Sequence, residues 1–203
     1  MLPKNALLLV FLVLVAGTTA MMIVLECHGA PLKTEGGYKI GALELARNSD
    51  RASTIVGAWR EHRLLDLALE DIRFDYAFIA LYTATLALAC FYGSILWGAL
   101  LGGWLGRAGT VLGWAMFVAG LMDVFENLGM TAEIGGNYAI APLVCTVSSI
   151  KWIIAIAAAL YSLPTLVIML VRLPSLLRQD RMHRQSDRGR REDDEREQYA
   201  QRQ

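Results

Sequence analysis

Three polar residues one helical turn apart, inside an otherwise apolar stretch, are the first place to look for chemistry. Asp123, Glu126 and Asn127 stand at i, i+3 and i+4, so a helix puts them on one face. Lys151 lies in the next apolar stretch. Asp75 and Tyr82 lie in the preceding one, two helical turns apart. A charged group at membrane depth costs roughly 2.5–3.5 kcal/mol on insertion scales, so such groups pair or face a wet cavity. One ammonium cannot neutralise three carboxylates. The set then needs a bound proton, a cation or a donor ligand. The chemistry this permits is an intramembrane binding or proton-handling site, with Asp123 or Glu126 as general acid or base.

Each residue also has a purely structural reading. Lys151 and Trp152 can form an interfacial anchor, because Trp152–Val171 is by itself long enough to span. Asp75 can cap the start of a helix. Glu126 and Asn127 can bond neighbouring helices. On the sequence alone, a structural network is weighted ahead of a ligand or chemical site.

The elements that position these residues follow from composition. The chain has 203 residues, 55% of them hydrophobic, with 19 basic and 19 acidic residues. The charges cluster in one loop and at the C-terminus, and long apolar runs lie between them. That pattern indicates a membrane protein. It excludes a disordered chain, which lacks the apolar surface, and a nucleic-acid binder, which needs a basic excess to neutralise phosphates. A span takes roughly 20 mainly apolar residues. Four are expected, at about 6–25, 74–101, 109–130 and 144–171, within a membrane domain of residues 1–172. The third must run through Asp123, Glu126 and Asn127, since 110–122 is too short to cross. Pro164 should kink the fourth.

Basic residues orient the spans. Nine arginines follow Val171, Lys4 precedes span one, Arg107 lies between spans two and three, and 131–141 has no Lys or Arg. Both termini are therefore expected in the cytoplasm, with loop 27–73 outside. A cleaved signal peptide ending near Thr18-Thr19-Ala20 is the alternative for span one. An uncleaved span is preferred, because Met21–Leu25 stay apolar. In the outer loop, Cys27 to about Asn48 is glycine-rich and reads as irregular. From an N-cap at Ser49 or Asp50, the segment to Asp71 reads as an amphipathic helix that lies on the surface or caps the bundle. Residues 173–203 read as a charged, solvated cytoplasmic tail. The expected fold is all-α: a four-transmembrane-helix bundle with an outer amphipathic helix.

Asp75…Phe78…Tyr82 gives D-x-x-F-x-x-x-Y, Asp123-Val124-Phe125-Glu126-Asn127 gives D-x-x-E-N, and Lys151-Trp152 gives a K-W pair. In this order, over spans two to four, the set resembles a broad group of uncharacterised bacterial four-span integral membrane proteins. The resemblance implies the architecture and an inner-membrane location. It brings no activity with it. Members of that group often carry proline where Ile79 stands here.

Other signals are mostly negative. Cys27 and Cys145 both fall near the outer face and are candidates for a disulfide, while Cys90 sits mid-span as packing. His28, His62 and His183 lie outside the spans, so paired-histidine haem ligation is excluded. No H-E-x-x-H, P-loop, G-x-S-x-G or C-x-x-C occurs, and neither a metal site nor a cofactor is expected. Small residues four apart (Ser94 and Gly98, Gly102 and Gly106, Gly109 and Gly113) should pack spans two and three as a hairpin. Three functions remain. A non-catalytic accessory or assembly subunit of a membrane complex leads, by elimination. Small-molecule or lipid binding or transport through the polar pocket follows, and then a membrane-embedded acid/base enzyme. The expected partners are membrane lipids and other membrane subunits, not nucleic acid.

Overall fold

Four apolar runs become four helices long and apolar enough to cross a membrane. The structure is a computed structural model and describes residues 4–165 and 167. Among these residues there is no strand. The protein is an all-α, multi-pass membrane protein. Its elements are α1 (Lys4–His28), α2 (Ala30–Thr34), α3 (Ile40–Glu44), α4 (Ser49–Glu61), α5 (Leu65–Leu101), α6 (Gly103–Ile134), a 3₁₀ turn at Tyr138–Ile140, and α7 over 141–165. Compactness divides the chain into Met1–Ser162 and Leu163–Gln203. In the second unit, Leu163, Pro164, Thr165 and Val167 are described, with Thr165 buried and the other three exposed. The charged tail from 173 and the expected end of span four at 171 lie outside the described residues.

The spans differ from expectation at their ends. The second helix begins at Leu65 rather than 74, so Asp75 lies in its third turn and caps nothing. The third begins at Gly103 rather than 109, which leaves Gly102 (φ +110°) as the whole turn between α5 and α6 and puts Arg107 inside the helix. The helices of this hairpin come into backbone contact. A Cβ on Gly106 would stand 2.9 Å from the Ser94 carbonyl oxygen and 3.1 Å from Gly98 Cα. Any larger residue there pushes the hairpin apart. Helix α1 packs along α5, with the Thr18 and Thr85 hydroxyls 2.9 Å apart.

Residues 29–64, with the adjoining ends of α5, α6 and α7, form a folded cap. The stretch expected to be irregular instead contains α2 and α3, whose Leu32 and Leu43 are fully buried. They pack with Ile55, Val56 and Trp59 of α4 against Ile72, Met130, Ile134 and Val144 of the long helices. Trp59 Nε1 donates to the Tyr38 carbonyl at 2.9 Å, satisfying its one polar atom. The amphipathic stretch therefore caps the bundle.

The single helix expected over 49–71 is two. The Asn48 side chain, not Ser49 or Asp50, caps α4 by accepting from Arg51 N at 2.8 Å. The helix ends in a Schellman motif: Leu64 N donates to Trp59 O, Arg63 N to Arg60 O, and Arg63 takes φ +59°. The accompanying contact between Leu64 and Trp59 belongs to the cap core. The same motif ends α6, with Gly136 at φ +102° supplying the left-handed position at no steric cost.

Candidate functional site

Three antiparallel helices deliver polar groups to one level. From α5 come Asp75 and Tyr82, from α6 Asp123, Glu126 and Asn127, and from α7 Lys151. All six line one cavity of about 510 Å³, within the usual range for a small-ligand site. Lys151 lies ten residues into α7, about 15 Å along its axis from the cap end. It is 6% exposed, so it is not an interfacial anchor.

Lys151 Nζ donates to Asp123 Oδ1 at 2.8 Å, pairs with Glu126 Oε2 at 2.8 Å, and lies 3.3 Å from Glu44 Oε1. The one ammonium thus sits among three carboxylates and hydrogen-bonds to that of Asp123. On the far side of Asp123, Tyr82 Oη donates to Oδ2 at 2.7 Å. One turn higher, Asn127 Nδ2 donates to Asp75 Oδ2 at 2.8 Å. Asn127 is fully buried, and its Oδ1 has no hydrogen-bond partner.

Glu44 is the member of the cluster that sequence reasoning missed. It is the last residue of α3, in the cap, and it reaches down into the cluster. Its Oε1 accepts from Trp152 Nε1 at 2.6 Å and from Ser148 Oγ. Ser148, Lys151 and Trp152 stand at i, i+3 and i+4 on α7, so one helix face grips one loop carboxylate. Nothing in the local sequence separates Glu44 from the other acids of a charged loop. The only hint is the polar triplet on α7, which needs a partner from elsewhere.

Glu44, Asp75, Asp123 and Glu126 are four carboxylates around one ammonium. With every group ionised, the cluster is three positive charges short. At the mouth, Glu26 is paired with Lys39, and Asp71 with His28 at 3.3 Å. Glu26 thus has a cation of its own, and Asp71 has an imidazole partner outside the cluster. The arrangement can hold protons or accept a cation, and its carboxylate residues and Asn127 line the cavity. Among the described residues, no three His, Cys, Asp or Glu side chains are grouped to hold a metal ion.

The cysteines take no part. Cys90 is buried against the Ser162 hydroxyl at 3.3 Å. Cys27, exposed on the last turn of α1, and Cys145, half-buried near the start of α7, are both free thiols, so the bridge expected between them is not formed. One further acid is unusual. Glu133 of α6 is fully buried, and neither of its oxygens has a hydrogen-bond partner.

No protein-family model, curated protein or solved structure matches the chain.

Proposed function

We propose that the protein binds a small cationic ligand in the intramembrane cavity, with the carboxylates of Asp75, Asp123, Glu126 and Glu44 taking the charge. The observation that carries this reading is the imbalance of the cluster beside an empty volume. Four carboxylates share one Lys151, and that ammonium already lies within 3.3 Å of three of them. A purely structural network would close its valences internally. This one leaves Oδ1 of Asn127, a residue lining a ligand-sized cavity, without a donor.

This moves ligand binding ahead of the accessory-subunit reading, which leads on sequence only by elimination. Acid/base catalysis stays behind it, since the hydroxyl and ammonium beside Asp123, those of Tyr82 and Lys151, are both engaged in binding that carboxylate. The basic-residue count supports an orientation with the cap outside and both termini in the cytoplasm of an inner membrane. The cavity then serves the outer half of the bilayer.

The test uses the whole chain in phosphatidylcholine nanodiscs and saturation-transfer NMR with two small probes, butylammonium and acetate. Saturable transfer to butylammonium is expected, with none to acetate. The Asp75→Asn/Glu126→Gln double variant, checked by melting to be folded, should lose it. Equal transfer to both probes, or transfer to neither, would overturn the reading.

A further inference from the structure

The cavity has two chemically different ends. Toward the cap it is walled by Glu44, Asp75, Glu126, Asn127 and Lys151. Away from the cap, its walls are Phe78, Tyr82 and Leu86 of α5 facing Ala155, Ile156 and Ala159 of α7. Phe78, Tyr82 and Leu86 are spaced i, i+4 and i+8, one continuous strip of a helix. From Asp75 to Leu86 the strip runs about 16 Å along the helix axis. Charge and apolar wall therefore lie in the same order, along the same axis, as the headgroup and chain of a lipid in the leaflet at the cap end.

The cavity also reaches the side of the bundle. Met22 of α1 and Trp152 and Ile156 of α7 line it, yet they are 55%, 49% and 53% exposed. Exposure at that depth is exposure to hydrocarbon, so the gap between α1 and α7 opens toward the acyl chains rather than only toward water. A ligand can reach the cluster by moving sideways out of the bilayer.

We infer that the occupant is a single-chain amphiphile with a primary amine, drawn laterally from the membrane between α1 and α7. This rests on the proposed cation site and narrows it. The ammonium head meets Asp75 and Glu126, where its N–H groups donate to carboxylate oxygens, which a quaternary ammonium cannot do. The chain lies along Phe78, Leu86, Ile156 and Ala159. The carboxylates disfavour a fatty acid of the same length.

The test is photolabelling of the full chain in phosphatidylcholine nanodiscs with a dodecylamine carrying a diazirine near the chain end. Peptide mapping by mass spectrometry should place the label at Leu86, Ile156 or Ala159. Unlabelled dodecylamine should compete at least tenfold better than butylamine, dodecyltrimethylammonium or dodecanoate. Ile156→Trp, which fills the apolar end without touching the charged cluster, should cut labelling about tenfold. Ala159→Phe serves the same purpose if Ile156→Trp misfolds. Competition by butylamine equal to that of dodecylamine would overturn the amphiphile and leave the cation site standing. Equal competition by dodecyltrimethylammonium would overturn the primary amine. Equal competition by dodecanoate would overturn the amine head and the cation site on which it rests, and leave only a site for the chain. Label spread over the lipid-facing helices and not competed would overturn the lateral route.

Discussion

Glu44 Oε1 lies 3.3 Å from Lys151 Nζ, joining the last residue of a five-residue helix in the cap to a lysine buried in the fourth membrane helix. The cap and the intramembrane cluster are therefore one structure. The same oxygen is held by Trp152 and Ser148. Glu44→Gln keeps a carbonyl for these two donors and should cost about 1 kcal/mol. Glu44→Ala strands the donors and frees α3. Hydrogen exchange across 30–46 should rise in the alanine variant and stay near wild type in the glutamine one.

Lys151 is the sole cation within reach of Asp123, Glu126 and Glu44 among the described residues. Removing one partner of a buried pair leaves uncompensated charge and typically costs about 3–5 kcal/mol. Lys151→Met should therefore melt well below wild type in detergent. Adding Asp123→Asn should restore part of the loss, because the two sites are coupled through one hydrogen bond. An additive double variant would count against the pairing.

Trp59 holds the cap together. It is fully buried, in contact with both short helices' core and with Leu64. Trp59→Ala should cost about 3–5 kcal/mol. The loss should be local: limited proteolysis should begin within 29–64, while the α5–α6 hairpin remains protected.

That hairpin depends on Gly106. A side chain there meets the Ser94 carbonyl and Gly98 before any flexible group can yield. Gly106→Leu should cost about 1–3 kcal/mol or more by overpacking. Spin labels at the exposed Ile95 and Val111 should move apart when Gly106→Leu is added. An unchanged distance would mean the helices do not touch there.

Much of this was legible in the residues. Apolar run length identifies four long helices, and the shortfall of 110–122 forces α6 through Asp123, Glu126 and Asn127. Helical spacing and alternating direction then bring Asp75, Tyr82 and Lys151 to the same level. The cap was less legible for physical reasons. Leu32 and Leu43 are isolated apolar residues among glycines, and a five-residue helix shows no period. The break at Arg63 places a non-glycine residue at φ +59°, where sequence carries no left-handed signal. Glu44 acquires its role only through tertiary contact with Ser148, Lys151 and Trp152. The cavity itself is a property of packing, which no residue pattern encodes.

The central claim is that the cluster takes a cationic ligand. Native mass spectrometry of the full chain, gently extracted from its own membrane, tests it most directly. The expected result is a single chain carrying one amine-containing small molecule, lost in the Asp75→Asn/Glu126→Gln variant. A ligand-free chain in stoichiometric complex with another membrane protein would contradict it and restore the accessory-subunit reading.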